Sequence, residues 1–272
     1  MIIDRALAER LERQLVGTPA TLREWLSTHP DEPVSVTQLA GGWIAEPLAG
    51  SHWGGGGFGL GFDGPLTDAD FALLLAAANR VGPRFRVVVC PYSDMSLPRR
   101  LMAEGFALEG FRTVLVRAVP NEREMAQWEA SPGIEVRRVD VSRELDRYID
   151  VVLRGFNSGQ PQREVDQRMS RITGSYSKAQ LFLATVGGKE AGGARIDFAG
   201  SVGFFLGGSV LPDFRNRGVH RALLLARMAA AASAGCDLVT VGSIAGGATE
   251  RNAQRLGFEV AYTALELMRG PL

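Results

Sequence analysis

The chain has 272 residues, 46% apolar and 22% charged. That globular balance excludes wholesale disorder and, at roughly 100–200 residues per domain, fits one large domain or two ordinary ones. Thirty Lys and Arg against thirty Asp and Glu give a formal charge of zero, so no basic field is present to hold a phosphate backbone and nucleic acid is not expected as a partner.

Residues 1–15, MIIDRALAERLERQL, carry charges every few positions and read as an amphipathic helix without a signal-type apolar core. Residues 59–64, GLGFDG, satisfy the pattern GxGxxG. Pro65 follows at once and no acidic ribose partner lies about 20 residues on, so a glycine-rich turn into a helix capped by Thr67 and Asp70 is the better reading. A helical run from Phe71, a strand at residues 87–90, a helix ending at Gly105-Phe106 and two strands reaching Arg117 complete the first half. Residues 120–133, with prolines near both ends and a charged middle, read as a linker.

The second half opens with a strand from Gly133, then helices near residues 143–156 and 163–173 around the polar loop NSGQPQ. A hairpin is expected about Gly187-Gly188, with a further turn at Gly200 and a strand over residues 201–211. The apolar stretch 222–234 is broken by Arg227 and falls short of the ~20 residues that cross a bilayer. With only Cys90 and Cys236 and no membrane segment, a cytoplasmic, reducing location is expected.

The two halves repeat. Gly105-Phe106 and Gly257-Phe258 lie 152 residues apart, and the same offset aligns FRVVVCP from Phe85 with DLVTVGS from Asp237. It also aligns FRTVLVR, ending at Arg117, with TALELMR, ending at Arg269. Each copy reads as strand, turn, helix, short strand, helix and two strands, so two related α/β domains are expected, over residues 1–125 and 133–272.

One turn carries chemistry. In SVLPDFRNRGVHRALLLARM the strand ends at Leu211, Pro212 stops the ladder, and a helix begins near Gly218 or Val219. Arg215, Asn216, Arg217 and Gly218 form the turn, with His220 and Arg221 in the first helical turn. A helix start leaves about four N–H groups without intrahelical partners and carries roughly half a positive charge. Glycine allows close approach and arginines add fixed charge, a combination that suits a diphosphate.

These residues resemble the GNAT acyltransferase superfamily, whose members hold acetyl-CoA through an Arg/Gln-x-x-Gly-x-Gly/Ala turn. Here the turn reads Arg215-Asn216-Arg217-Gly218-Val219-His220, with histidine at the last small position. The helix running into Gly257-Phe258 and the strands after it are similar to a later motif of that superfamily. The resemblance implies an α/β fold with a mixed sheet, in two tandem GNAT-type domains, and acetyl-CoA as co-substrate. It implies cofactor contacts at Val210, Leu211, Arg215, Asn216, Arg217, Gly218, Val219, His220 and Arg221, with the amide of Val210 or Leu211 facing the thioester oxyanion. Gly207-Gly208 would let the strand bend away from its neighbour.

Only the second copy is equipped. Residues 215–220 fall on Asp63-Gly64-Pro65-Leu66-Thr67-Asp68, where acidic groups oppose phosphates and Pro65 lacks an N–H. The first domain is therefore expected to keep the fold without the cofactor loop.

The implied reaction is direct attack by a primary amine of a small molecule, with binding only, or acetylation of protein amino groups, as alternatives. An alkyl ammonium of pKa ~10.4 is about one part in 10³ free amine at pH 7, so a base or a desolvating site is needed. Asp197 and Glu190 are the nearest carboxylates, and each reads more readily as a solvated hairpin residue. The superfamily's tyrosine acid is replaced by Ala253. Ser243, Thr249, Asn252 and Tyr262 are substitutes; Thr249 reads as a helix cap and Tyr262 as core edge, which leaves Ser243 and Asn252. The acceptor is expected over residues 156–162. His29, His52 and His220 lack metal-ligand spacing, so no metal site is expected.

Overall fold

The computed structural model describes residues 2–51, 55–128, 132–157 and 162–269. Helices α1 (Arg5–Glu12) and α2 (Gly17–Thr28) precede β1 (Ser35–Leu39), β2 (Gly42–Glu46) and β3 (Gly56–Phe58). Then come α3 (Asp68–Val81), β4 (Arg86–Val89), α4 (Ser96–Ala103), β5 (Phe106–Ala118) and the short α5 (Glu122–Met125). The second half runs β6 (Ile134–Arg138), α6 (Val141–Asn157), α7 (Glu164–Gly174), β7 (Ala179–Val186), β8 (Lys189–Ala199) and β9 (Val202–Val210). It closes with α8 (Val219–Ser233), β10 (Leu238–Ile244), α9 (Ala248–Gln254) and β11 (Glu259–Arg269).

The repeat is structural. β4 and β10 start 152 residues apart, as do α4 and α9. Both helices end at a glycine of positive φ, +83° at Gly105 and +78° at Gly257, where a side chain would be strained. The hairpin at Gly187-Gly188 is present, with φ of +55° and +75° joining β7 to β8 through the pair Val186–Lys189. One expectation fails in both copies: the two strands after each Gly-Phe pair are one long strand, β5 and β11. Gly110 continues β5 with an ordinary φ, and β11 contains neither glycine nor proline to turn it.

Two compact units form, and they are not continuous in sequence. The first comprises Met1–Val114, Ser243–Ala245 and Val260–Leu272; the second comprises Leu115–Gly242 and Gly246–Glu259. They differ from the expected 1–125 and 133–272 division because the final strands exchange. In the first unit the strand order is β1-β2-β3-β4-β11, followed by the start of β5, and β11 runs antiparallel to β4 through Leu265–Val89 and Leu267–Val87. In the second unit the remainder of β5 is followed by β10-β9-β8-β7-β6. Each order is mixed: β3–β4 and β9–β10 are parallel, the other registered pairs antiparallel.

Burial explains the exchange. Leu267 packs with Phe85, Val87 and Val89 in the first core, whereas Leu115 packs with Val239 and Val241 in the second. Among the described residues no helix is long and apolar enough to cross a membrane.

Candidate functional site

After β9, one turn of 3-10 helix at Pro212–Phe214 leads to Asn216 at φ +60° and Gly218 at φ +89°. Only glycine adopts that last conformation without strain. α8 then begins, and its first intrahelical bond runs from Ala222 N to Gly218 O at 3.0 Å. No side chain caps α8 and its first turn holds no acidic residue, so the positive end of the dipole is not offset from within the helix. The equivalent start of α3 is closed. Thr67 Oγ1 accepts from Asp70 N and donates to Asp70 Oδ2, with Asp68 and Asp70 in the first turn. Asp63 is held by Arg13, and Arg5 donates to the carbonyls of Phe62 and Tyr92.

The loop side chains divide their tasks. Arg215 turns back and donates to Gly155 O at 3.1 Å and Val210 O at 3.3 Å, fixing α6 against the end of β9. Gly155 permits that approach, since a Cβ there would lie 2.6 Å from Ser209 Oγ. Arg217 lies over the Phe214 ring at 5.6 Å and is exposed with Asn216. Val219 is buried in the core and anchors the helix start, and Arg221 is half-buried beside it. Of the two amides offered for the oxyanion, that of Leu211 is taken, donating to Ala191 O at 2.9 Å. Antiparallel alternation then turns the Val210 N–H away from β8.

β9 is bulged and splayed there. Opposite β8 the register passes from Arg195–Leu206 to Gly193–Ser209, so Gly207 and Gly208 supply the extra residue, with Gly207 at φ +53°. Opposite β10 the pairing runs from Leu238–Val202 to Val241–Phe205. The glycine pair sits just past that point, on the half-exposed part of β9.

The structure brings His220 and Asn252 together: Asn252 Nδ2 donates to His220 Nδ1 at 3.2 Å, while Asn252 Oδ1 accepts from Arg255 Nη1 at 3.2 Å. Burial and the nearby Arg227 charge push the imidazole down to about 4. It is neutral at pH 7, with its proton on Nε2. Arg227, which the sequence offered only as a break in an apolar run, is 2% exposed under the bulge. It donates to Leu223 O at 3.0 Å, Arg195 O at 3.4 Å and Leu206 O at 3.5 Å, and lies over the Phe205 ring. Burial brings its pKa down to about 9.

Other expectations change. Asp197 is not a solvated hairpin residue: it is fully buried and binds Arg195 through both oxygens, 2.6 Å at Nη2. Glu190 is paired with Arg147 on α6. Ser243 belongs to the first unit, where its buried Oγ donates to Ile244 O. Thr249 is no cap, since Gly247 precedes α9 and Glu250 receives the Gly246 N–H. Tyr262 is buried in the first unit and donates to Glu12 Oε1 at 2.6 Å. Ala253 is completely buried in the second core. No group of three or more metal-ligating side chains occurs among the described residues. His52 and residues 158–161 of the expected acceptor loop lie outside them.

No protein-family model and no curated protein matches the sequence. Solved structures do match in three dimensions. A GCN5-related N-acetyltransferase from Kribbella flavida superposes with TM-score 0.61 at 14% identity, over 93% of this chain and 96% of that one. Another from Sphaerobacter thermophilus gives 0.59 at 15%, over 85% and 78%. A tandem GNAT protein from the clavulanic acid biosynthesis pathway gives 0.56 at 12%, over 85% and 79%. Likeness at this identity speaks to architecture. The chain has the fold of the GCN5-related N-acetyltransferases, in the two-copy form of the tandem GNAT protein.

Proposed function

We propose that the second unit binds acetyl-CoA and transfers its acetyl group to a primary amine of a small molecule by direct attack. The observation that carries this reading is the difference between two equivalent helix starts. α3 is closed by its own Thr67 and Asp70, whereas α8, entered through Gly218 at positive φ, has no side-chain cap. The opening N–H groups of Val219 and His220, with Arg217 beside them, would hold the diphosphate. The thioester supplies an activated acyl carbon, and the Val210 amide is the donor aimed where its oxygen would develop charge.

His220 at neutral pH carries a proton on Nε2 and does not deprotonate an ammonium. Its part is to donate a hydrogen bond next to the bulge, with Asn252 fixing the tautomer. A second reading, acyl-CoA binding without transfer, draws on Ala253, which fills core space at the position of the superfamily's acid.

Thermal unfolding with and without acetyl-CoA tests the first step. Saturation at 100 times Kd raises stability by about 2.7 kcal/mol, and Gly218→Asp abolishes the gain. Equal behaviour of wild type and variant overturns the reading. Release of free thiol across a panel of amines then separates transfer from binding.

A further inference from the structure

Among the described residues of the second unit the buried charges are Asp166, Arg195, Asp197 and Arg227, and Asp166 is bound by the half-buried Arg163. Arg195 is neutralised by Asp197, both nearly inaccessible. Arg227, two and a half turns into α8, has no such partner among the described residues. Its guanidinium meets three carbonyls, two of them at 3.4 Å or more, and one aromatic face. A buried cation so weakly paired is costly to retain unless an anion joins it.

The nitrogens that face the bulge share one target. A side-chain carbon built on Gly208 would stand 3.5 Å from Arg227 Nη2, 3.8 Å from Nη1 and 3.9 Å from His220 Nε2. Because residue 208 is glycine, that space is open, on a stretch of β9 that is itself partly exposed and no longer paired with β10. The Asn252 bond leaves His220 Nε2 as a donor, and since the Nη1 hydrogens go to Arg195 O and Leu206 O, Arg227 Nη2 and His220 Nε2 are the two nitrogens that offer N–H groups to the same point.

We propose that Arg227 and His220, converging in front of Gly208, form a carboxylate-binding subsite, and that a molecule handled by the second unit carries a carboxylate. The carboxylate sits either at the far end of the acyl chain or on the amine acceptor. The occupant's identity rests on the acyltransferase reading above; the subsite itself does not. One carboxylate oxygen would accept from Arg227 Nη2 and the other from His220 Nε2, and a charge-assisted hydrogen bond of this kind favours an anion over a neutral group.

The test compares carboxylate ligands with uncharged ligands of similar size. Affinities of succinyl-CoA and pentanoyl-CoA are measured by titration calorimetry on the full chain, and CoA-loaded protein is titrated with the common amino acids and their amides. A preference of at least about tenfold for the carboxylate in one arm, the size one charge-assisted hydrogen bond supplies, is expected, and the arm that shows it names the source. Gly208→Ala, whose Cβ would make only ordinary contacts, keeps the fold and CoA affinity and loses the preference. In protein that binds CoA, no preference in either arm, or one that survives Gly208→Ala, overturns the proposal: Arg227 then only ties off carbonyls freed by the bulge. A third measurement needs no CoA. Succinate, unlike succinamide, shifts the His220 ring signals in the NMR spectrum. Protein that ignores CoA yet passes this last test keeps the subsite and loses the acyltransferase reading; protein that binds CoA and fails all three does the reverse.

Discussion

Leu115 and Leu267 occupy the same place in the two repeats, 152 residues apart, and each is buried in the core built by the other repeat. Truncating either side chain leaves a cavity worth about 2–5 kcal/mol. Native-state hydrogen exchange distinguishes the two. Leu267→Ala lowers the protection of β4 and α3, in the half made mainly from the N-terminal sequence, while Leu115→Ala lowers that of β10 and α8. Loss of protection in the repeat that carries the mutated residue would show that the strands are not exchanged.

The His220 imidazole makes stability fall in acid. Its folded pKa is held at about 4, against ~6.5 in an unfolded chain. Between those values the unfolded state takes up a proton that the folded state refuses, so stability declines as pH drops from 6.5 towards 4 and is unaffected by this group above 7. Urea denaturation at pH 7 and pH 5 measures the decline, and His220→Phe shows a smaller one.

Breaking the Arg195–Asp197 pair is severe. Both residues are almost fully buried, so Asp197→Asn strands a guanidinium and is expected to lower stability by about 3–5 kcal/mol. The double change Arg195→Met with Asp197→Leu recovers most of that loss. Denaturation midpoints of the three proteins check the ordering; were Asp197 instead a solvated hairpin residue, the single variant would unfold like wild type.

Thr67→Ala removes the cap of α3 and lowers stability by about 1 kcal/mol. Under the proposed function acetyl-CoA stabilises this variant as much as wild type, because the start of α3 belongs to the first unit. A calorimetric melt of the variant with and without ligand reads both effects at once.

The positions of β4, α4, β10 and α9 were legible in the sequence because turn chemistry repeats with the apolar pattern, as the glycines at 105 and 257 show. The exchange of last strands was not legible. FRTVLVR and TALELMR present equivalent patterns to either β4 or β10, and periodicity carries no information on which neighbour is chosen. The glycine loop announced itself through glycine and arginine between a strand and a helix. Arg227 did not: within LLLARMAAAA it reads as an interruption, although a lone arginine on an apolar face was the available sign of a buried charge. Asp197 was misjudged for a similar reason, since its partner Arg195 lies two residues away on the same strand face and the pair sinks into the interior together.

The tethered turn of the first half has its own consequence. Arg5 clasps the carbonyls of Phe62 and Tyr92, and Arg13 holds Asp63. Any free molecule seeking that place must displace side chains already tethered there, which compete as though present at roughly millimolar concentration or above. Loosening α1 and the residue after it would release the Phe62 and Tyr92 carbonyls and Asp63 together.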